Sequence, residues 1–288
     1  MRSGLGRRCV DLISGKTRLL ALIGRPVEHS LSPRMHGASF VADDLDYVYV
    51  ALNVEPGDLP AAVKGAAALG LRGFNITMPH KRAMPPLLDE VDEGARISGA
   101  VNTVVIENGK LLGYNTDGYG MVEACKEAGI ELAGRRVLLL GAGGTAASIA
   151  VALGAERVKG LRIVNRSIEN AWKLLGRLRR TGMENVEVYP SDALSEAVRE
   201  VEAIVNCTPL GMEDDDPLPI PVEYLDGGRT VCDAVYRPGK ETRLVKQARE
   251  RGSRVITGER MLLYQGVQAQ RLWTGREPNV KAMSEAIS

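Results

Sequence analysis

The stretch Arg135-Arg136-Val137-Leu138-Leu139-Leu140-Gly141-Ala142-Gly143-Gly144-Thr145-Ala146 decides the fold. Its apolar run ending at Leu140 reads as a buried strand, the glycines as a tight turn, and Ala146 to Leu153 as a helix. The turn has the form G-x-G-x-x-A in the context that a dinucleotide fingerprint requires. Gly141 permits the turn, Gly143 lets the backbone approach a pyrophosphate, and the small Ala146 allows close helix packing. Gly141, Ala142, Gly143, Gly144 and Thr145 together lead into a helix N-terminus, whose unpaired amides and positive dipole end suit phosphate oxygens. The next strand, Val158 to Val164, completes a βαβ unit. It ends at Asn165-Arg166-Ser167, where an NAD site usually offers an acid to the adenosine ribose. A guanidinium there favours a 2′-phosphate and therefore NADP, with Glu169 as a contrary charge two positions beyond Ser167.

Working outward, strand signals at Val186–Tyr189, Ala203–Asn206, Thr230–Asp233 and Arg254–Ile256 alternate with helical stretches, as a doubly wound sheet requires. Upstream, Thr17–Ile23, Asp46–Leu52 and Gly73–Thr77 also read as strands, and Pro56 to Leu69 as a helix. Val101–Ile106 and Leu111–Tyr114 flank Asn108-Gly109 as a hairpin. The expected fold class is α/β: a mixed-sheet N-terminal domain over residues 1–118 and a Rossmann-like doubly wound domain over 119–258. A helical segment over 259–288 is expected to pack back on the first domain. Residues 1–15 read as an extension.

Over 288 residues, hydrophobic residues make up 44% and charged residues 25%, an ordinary globular balance. Lys plus Arg at 37 against Asp plus Glu at 36 leaves +1, too little for a broad nucleic-acid or membrane footprint. No run approaches the roughly 20 apolar residues of a membrane span. Cys9, Cys125, Cys207 and Cys232 stand far apart without CxxC pairing, which predicts reduced thiols and a cytoplasmic setting. His29, His36 and His80 lack ligand spacing, so no metal is expected. Trp172 and Trp273 are expected to pack on helices, and the run Glu213-Asp214-Asp215-Asp216 to be a solvated loop.

Polar clusters interrupt this background at Gly24 to Pro33, Gly73 to Lys81, Gly99 to Thr103, Gly113 to Gly118 and Gly258 to Gln265. Most lie at strand ends, where open α/β sheets bind ligands. Hydroxyls, amides, one lysine and one carboxylate suit a small polyhydroxylated ligand. Lys81 and Asp117 are the titratable pair suited to the proton movement that accompanies hydride transfer at a carbonyl. Taken singly, Lys81 reads as a surface residue and Asp117 as a turn or cap residue. Their clustering with the amides changes that reading.

Together with the Gly141 turn, Asn165-Arg166-Ser167, Asn206-Cys207-Thr208-Pro209-Leu210-Gly211-Met212 and Asp233-Ala234-Val235-Tyr236-Arg237-Pro238, these clusters resemble the shikimate dehydrogenase (shikimate/quinate dehydrogenase) family from about Thr17 to Gly275. The resemblance implies NADP-dependent, reversible reduction of 3-dehydroshikimate to shikimate in aromatic amino-acid biosynthesis. It implies substrate contacts from Ser30, Ser32, Asn75, Thr77, Asn102, Tyr236 and Gln265, with Lys81 and Asp117 as catalytic pair and substrate ligands. Gly141 to Thr145 then match the pyrophosphate loop and Asn165, Arg166 and Ser167 the 2′-phosphate site. Thr208, Met212, Ala234, Gly258 and Met261 match the nicotinamide end, with a helical-core reading for Met261 standing beside this one. A homodimer is compatible with the resemblance.

Three positions depart from it. Gly37 follows His36 where relatives tend to carry an amide, Asn170 stands where many carry a second arginine, and Cys207, read as a small buried hydrophobe, where alanine is commoner. Two other readings remain beside this one: an NAD-dependent quinate/shikimate dehydrogenase, and a non-catalytic NADP-sensing regulator. The length leaves no room for a fused barrel-sized dehydroquinase.

Overall fold

The computed structural model describes residues 13–288. Most of the expected N-terminal extension, residues 1–12 with Cys9, therefore lies outside the described residues.

The first sheet is built from β1 (Arg18–Gly24), β2 (Tyr47–Asn53), β3 (Gly73–Ile76), β4 (Glu90–Val91), β5 (Thr103–Glu107) and β6 (Lys110–Tyr114), in the order β2-β1-β3-β5-β6-β4. β1 runs parallel to β2 and β3, whereas β5 runs antiparallel to β3 and β6, so the sheet is mixed. Asn108 and Gly109 turn the β5–β6 hairpin with φ of 51° and 78°, the left-handed pair that a two-residue turn of this hand requires. The two-residue edge strand β4, parallel to β6, has no signal in the sequence reading because two residues show no periodicity. Helices α1 (Ser32–Ala42), α2 (Leu59–Ala68) and α3 (Glu93–Ser98) cover this sheet. Gly37 lies within α1, where an added Cβ would meet nothing within 4 Å.

α4 (Asp117–Glu127) leads to the second sheet, formed by β7 (Arg136–Leu140), β8 (Gly160–Val164), β9 (Val186–Tyr189), β10 (Ala203–Asn206), β11 (Thr230–Asp233) and β12 (Arg254–Ile256). Its order is β12-β11-β10-β7-β8-β9, parallel throughout, which is the winding of a Rossmann-type sheet. Along β7, Val137 and Leu139 enter one apolar cluster and Leu138 and Leu140 another, so both faces of the strand are buried. The first cluster includes residues of α4, α5 (Gly144–Ala155) and α6 (Ile168–Arg179); the second includes residues of α7 (Leu194–Ala197) and α8 (Arg243–Glu250).

Beyond β12 the chain forms two helices instead of one segment: α9 (Gly258–Thr274) and α10 (Val280–Ile287), separated at Gly275, whose φ is +67°. α9 lies on α4 and α1, and α10 on α1. Trp273 is buried and donates its Nε1–H to the Val104 carbonyl at 2.9 Å, fastening the end of α9 to the first sheet. Trp172, by contrast, is 53% exposed, which corrects its expected packing. The buried stripe of α6 runs through Ala171, Leu174, Leu175 and Leu178, and Trp172 falls beside it.

The acidic run is a largely exposed loop, as expected, pinned by local contacts. Asp216 accepts from the Gly211 and Glu213 amides at 2.9 and 3.1 Å, and Asp214 pairs with Arg237 at 2.7 Å. Cys125 and Cys232, 107 residues apart, bring their sulfurs within 3.9 Å as buried free thiols. Among the described residues no helix is long and apolar enough to cross a membrane, and no cluster of His, Cys, Asp and Glu is suited to a metal.

Candidate active site

The β3 exit, the β6–α4 corner, the first turn of α5 and the middle of α9 meet at Asp117. Lys81 Nζ lies 2.5 Å from Asp117 Oδ2, with the lysine side chain 17% and the aspartate 5% exposed. Asp117 opens α4, and its amide donates to Asn115 Oδ1 at 3.1 Å. Asn102 Nδ2 donates to the second carboxylate oxygen, Oδ1, at 2.7 Å. Each oxygen therefore has a donor, which holds the buried carboxylate in one orientation.

A layer of amides and hydroxyls extends from this pair. Asn102 also reaches Thr116 Oγ1 at 3.0 Å and Gln265 Oε1 at 3.5 Å, while Thr116 returns its backbone N–H to Asn102 Oδ1 at 2.8 Å. Gln265, on α9, donates to the Leu262 carbonyl at 3.0 Å. On the floor, Asn75 donates to Thr103 Oγ1 at 2.9 Å and accepts from the Tyr49 hydroxyl at 2.7 Å. Burial raises the Tyr49 phenol well above its ordinary range; Ser32 is its hydrogen-bond neighbour and Tyr236 lies nearby. Burial likewise raises Tyr236, which sits on the Ser30 side chain and the Leu31 backbone. Thr77, after β3, lays its methyl group against Gly24.

His36 stacks on Tyr49 with ring centroids 4.6 Å apart and approaches Gln270 Oε1 through Nδ1 at 3.2 Å. Complete burial lowers its pKa to about 4, so the ring is neutral beneath the site. Its Nε2 has no hydrogen-bond partner among the described residues. His80 is buried against the Val54 carbonyl at 2.9 Å, and His29 is exposed.

The glycine turn faces this pair. Gly141 adopts φ +108°, a conformation that few other residues tolerate, and Ala142 and Ala146 are buried behind it. A Cβ at Gly143 would meet nothing within 4 Å, leaving the backbone open to a close-lying group at the start of the twelve-residue α5. Gly144 serves a different purpose: a Cβ there would stand 3.0 Å from Ala100 and 3.4 Å from Lys81, so glycine lets the two halves approach. The cradle fits a dinucleotide pyrophosphate in both shape and polarity.

At the end of β8, Asn165 Nδ2 donates to the Ser167 carbonyl at 2.7 Å and Ser167 Oγ donates to Glu169 at 2.9 Å. The Glu169 carboxyl is held below its usual range by its own backbone N–H and by Ser167. Arg166 is exposed, without a carboxylate partner among the described residues. A pair of hydroxyl and guanidinium at this strand end suits a phosphate dianion.

At the opposite strand ends, Thr208 donates its hydroxyl to Asn206 Oδ1 at 2.7 Å, and the Ala234 amide donates to the Asn206 carbonyl at 2.9 Å. Met212 is 42% exposed, Gly258 begins α9 against the Val235 carbonyl, and Met261 is buried in the apolar cluster that Cys207 and Ala234 border. Cys207 is half-buried at the border of that cluster, short of the full burial expected of it, and desolvation raises its thiol. Asp233 organises these loops by accepting from Thr242 at 2.6 Å, Asn206 at 2.9 Å and Val235 at 3.0 Å; burial outweighs these donors and pushes its pKa up to about 6.

Sequence reasoning singled out neither Tyr49, Thr116 nor Asp233. A tyrosine on the same face of β2 as Tyr47 carried a signal, since a buried phenol needs a partner. Thr116 lies inside the polar cluster Gly113 to Gly118, and Asp233 at a strand end.

An α/β protein whose dinucleotide cradle faces a lysine–carboxylate pair set among amides belongs to the class of nicotinamide-dependent oxidoreductases. The comparisons narrow the class. Residues 22–104 match the shikimate dehydrogenase substrate binding domain, 123–210 shikimate / quinate 5-dehydrogenase, and 258–287 the shikimate 5'-dehydrogenase C-terminal domain. The shikimate dehydrogenase (NADP(+)) of Rubrobacter xylanophilus is 56% identical over 280 residues, covering 97% of this chain and 98% of that protein. A shikimate dehydrogenase solved in complex with NADP+ is 40% identical with a TM-score of 0.89, covering 96% of each chain. A quinate dehydrogenase from Corynebacterium glutamicum, solved in complex with NAD, is 35% identical with a TM-score of 0.86, covering 94% of this chain and 98% of that one. The chain belongs to the shikimate dehydrogenase family.

Proposed function

We propose that this chain is an NADP-dependent shikimate dehydrogenase that interconverts 3-dehydroshikimate and shikimate through Lys81 and Asp117. The observation that carries the reading is the Lys81–Asp117 contact of 2.5 Å, roofed by Asn102 and facing the glycine turn. When bound, NADPH supplies the hydride for the ring carbonyl carbon. Lys81 Nζ hands a proton to the carbonyl oxygen, and Asp117 aims the ammonium and bonds the ring. Ser30 and Ser32, with Tyr236 beside them, bind the substrate carboxylate; Asn75, Thr77, Asn102 and Gln265 bond the ring hydroxyls.

The Gly141–Thr145 turn holds the pyrophosphate, with Asn165, Arg166 and Ser167 at the 2′-phosphate. Thr208, Met212, Ala234, Gly258 and Met261 border the nicotinamide. In this reading residues 1–118 form the substrate domain, 119–258 the NADP domain and 259–288 the returning helices, in a cytoplasmic enzyme that works as a homodimer.

The reading with NAD as cofactor draws support from one feature, the Ser167–Glu169 hydrogen bond at the adenosine end. A matrix of shikimate and quinate against NADP⁺ and NAD⁺ tests both. Shikimate with NADP⁺ is expected to give the highest kcat/KM. Preference for NAD⁺ with quinate would overturn the assignment, and cofactor binding without turnover of either substrate would point to a sensor.

A further inference from the structure

Thr145 enters the sequence reading as the last residue of a phosphate-binding turn, yet its side chain has another engagement. Its hydroxyl donates to Asp117 Oδ2 at 2.9 Å and accepts from Lys81 Nζ at 3.1 Å. With the Lys81–Asp117 contact of 2.5 Å this closes a triangle whose three corners come from the β3 exit, α4 and α5.

The geometry constrains the lysine. An ammonium is a point charge with three equivalent donors on a flexible stem, so one anchor leaves it free to turn about the Cε–Nζ bond. Asp117 and Thr145 take two of the three hydrogens and thereby fix the direction of the third. Among the described residues no other acceptor engages Lys81 Nζ. A hydroxyl suits the second corner because it both accepts from Lys81 and donates to Asp117, adding no charge to the pair.

The packing around the triangle keeps this corner in place. Gly144 brings the start of α5 against Ala100 and Lys81. One turn further along the same helix face, Ser148 Oγ accepts the Gly118 amide at 2.9 Å. α5 therefore meets the first turn of α4 at two points, Thr145 to Asp117 and Ser148 to Gly118. A shift of the glycine turn moves the hydroxyl that aims the proton donor.

We propose that Thr145 is a positioning residue for proton transfer, which couples the dinucleotide-binding turn to the direction of the Lys81 ammonium. The proposal rests on Lys81 as the proton donor of the reading above. Hydride transfer at the ring carbon and proton transfer to the ring oxygen must coincide in geometry, and Thr145 spans the two machineries that supply them.

The test compares Thr145→Val, which keeps the shape and removes the hydroxyl, with Thr145→Ser, which restores it. The measurements are kcat and KM for shikimate, the pH profile of kcat, and the NADP⁺ dissociation constant by titration. Thr145→Val is expected to lower kcat about tenfold, the scale of a hydrogen bond to a charged group, and to displace the pH profile. KM and the NADP⁺ constant should stay within about twofold, and Thr145→Ser should recover most of kcat. Unchanged kcat and pH profile in Thr145→Val would overturn the proposal, as would a loss confined to NADP⁺ affinity or an equal loss in both variants. A wild-type chain inactive on shikimate with NADP⁺ would overturn the functional reading itself, whereas an active wild type with an indifferent Thr145 would overturn only this inference. Equal thermal midpoints in the three proteins separate aiming from folding.

Discussion

The proposed acid–base end of the cleft and its proposed adenosine end are built on different terms. At the first, Lys81, Asp117, Asn102 and Gln265 are largely or wholly withdrawn from water, and several bond more than one partner across elements far apart in sequence. At the second, Arg166 stands in solvent and the Ser167 hydroxyl bonds only a local, exposed carboxylate. On the proposed roles, the difference follows from what each end must do. Proton transfer needs a fixed direction, and rigid low-dielectric surroundings provide one without rearrangement during reaction. Recognition of a phosphate charge tolerates mobility, because its field extends over several ångströms. One end of this molecule is organised for geometry, and the other for charge.

Substitutions should reproduce that contrast. Asp117→Asn removes the anionic anchor of Lys81 at nearly constant shape, and kcat should fall by about 10²-fold or more. Steady-state kinetics with shikimate and NADP⁺ reads the loss; a fall of only a few-fold would remove the rigid end from the account.

His36 probes the floor of the same end through pH. Its folded pKa of about 4 lies below the unfolded value near 6.5, so the unfolded chain takes up the proton first as pH falls. The neutral ring's contribution is complete above about pH 6.5 and is lost progressively down to about pH 4, amounting to about 3 kcal/mol over that window. Denaturant titrations of wild type and His36→Gln, taken at intervals between pH 7 and pH 4, should show their stability difference shrinking by that order. A difference independent of pH would mean that His36 titrates normally. Asp233, with its pKa up at about 6, slopes the opposite way, losing stability as pH rises from about 4 to 6. The two proteins share that contribution, so only the His36 slope survives in their difference.

Effects at the adenosine end should be confined to cofactor choice. Arg166→Ala should weaken NADP⁺ binding about tenfold, leave NAD⁺ nearly unchanged and spare kcat at saturating cofactor. Equal losses for the two cofactors would show that Arg166 does not meet the 2′-phosphate. Smallest of all, Glu169→Gln should favour NADP⁺ over NAD⁺ by about twofold, since an exposed charge is largely screened. The ratio of the two kcat/KM values measures it, and a shift toward NAD⁺ would mean that the Glu169 charge does not oppose the 2′-phosphate.

Much of this organisation was legible in the residues themselves. The β7–turn–α5 unit announced its sheet because a glycine turn between an apolar strand and a small-residue helix has few other uses, and Asn108-Gly109 announced the hairpin through the φ values such a turn needs. Lys81 and Asp117 were visible as a lysine and a carboxylate set among amides at strand ends. What stayed hidden depends on tertiary approach. The Cys125–Cys232 neighbourhood, the exposure of Trp172 and the two-residue β4 leave no local pattern. Thr145 is the sharpest case: its position in the turn predicts phosphate, but the close approach at Gly144 directs its hydroxyl to Lys81 and Asp117.

Lys81→Ala, assayed as the rate of reduced-cofactor formation from shikimate and NADP⁺, tests the account at its centre. Turnover should fall by about 10²- to 10⁴-fold while KM for shikimate changes far less. Turnover close to that of the wild type would mean that the proton travels by another route and that the triangle of Lys81, Asp117 and Thr145 is structural.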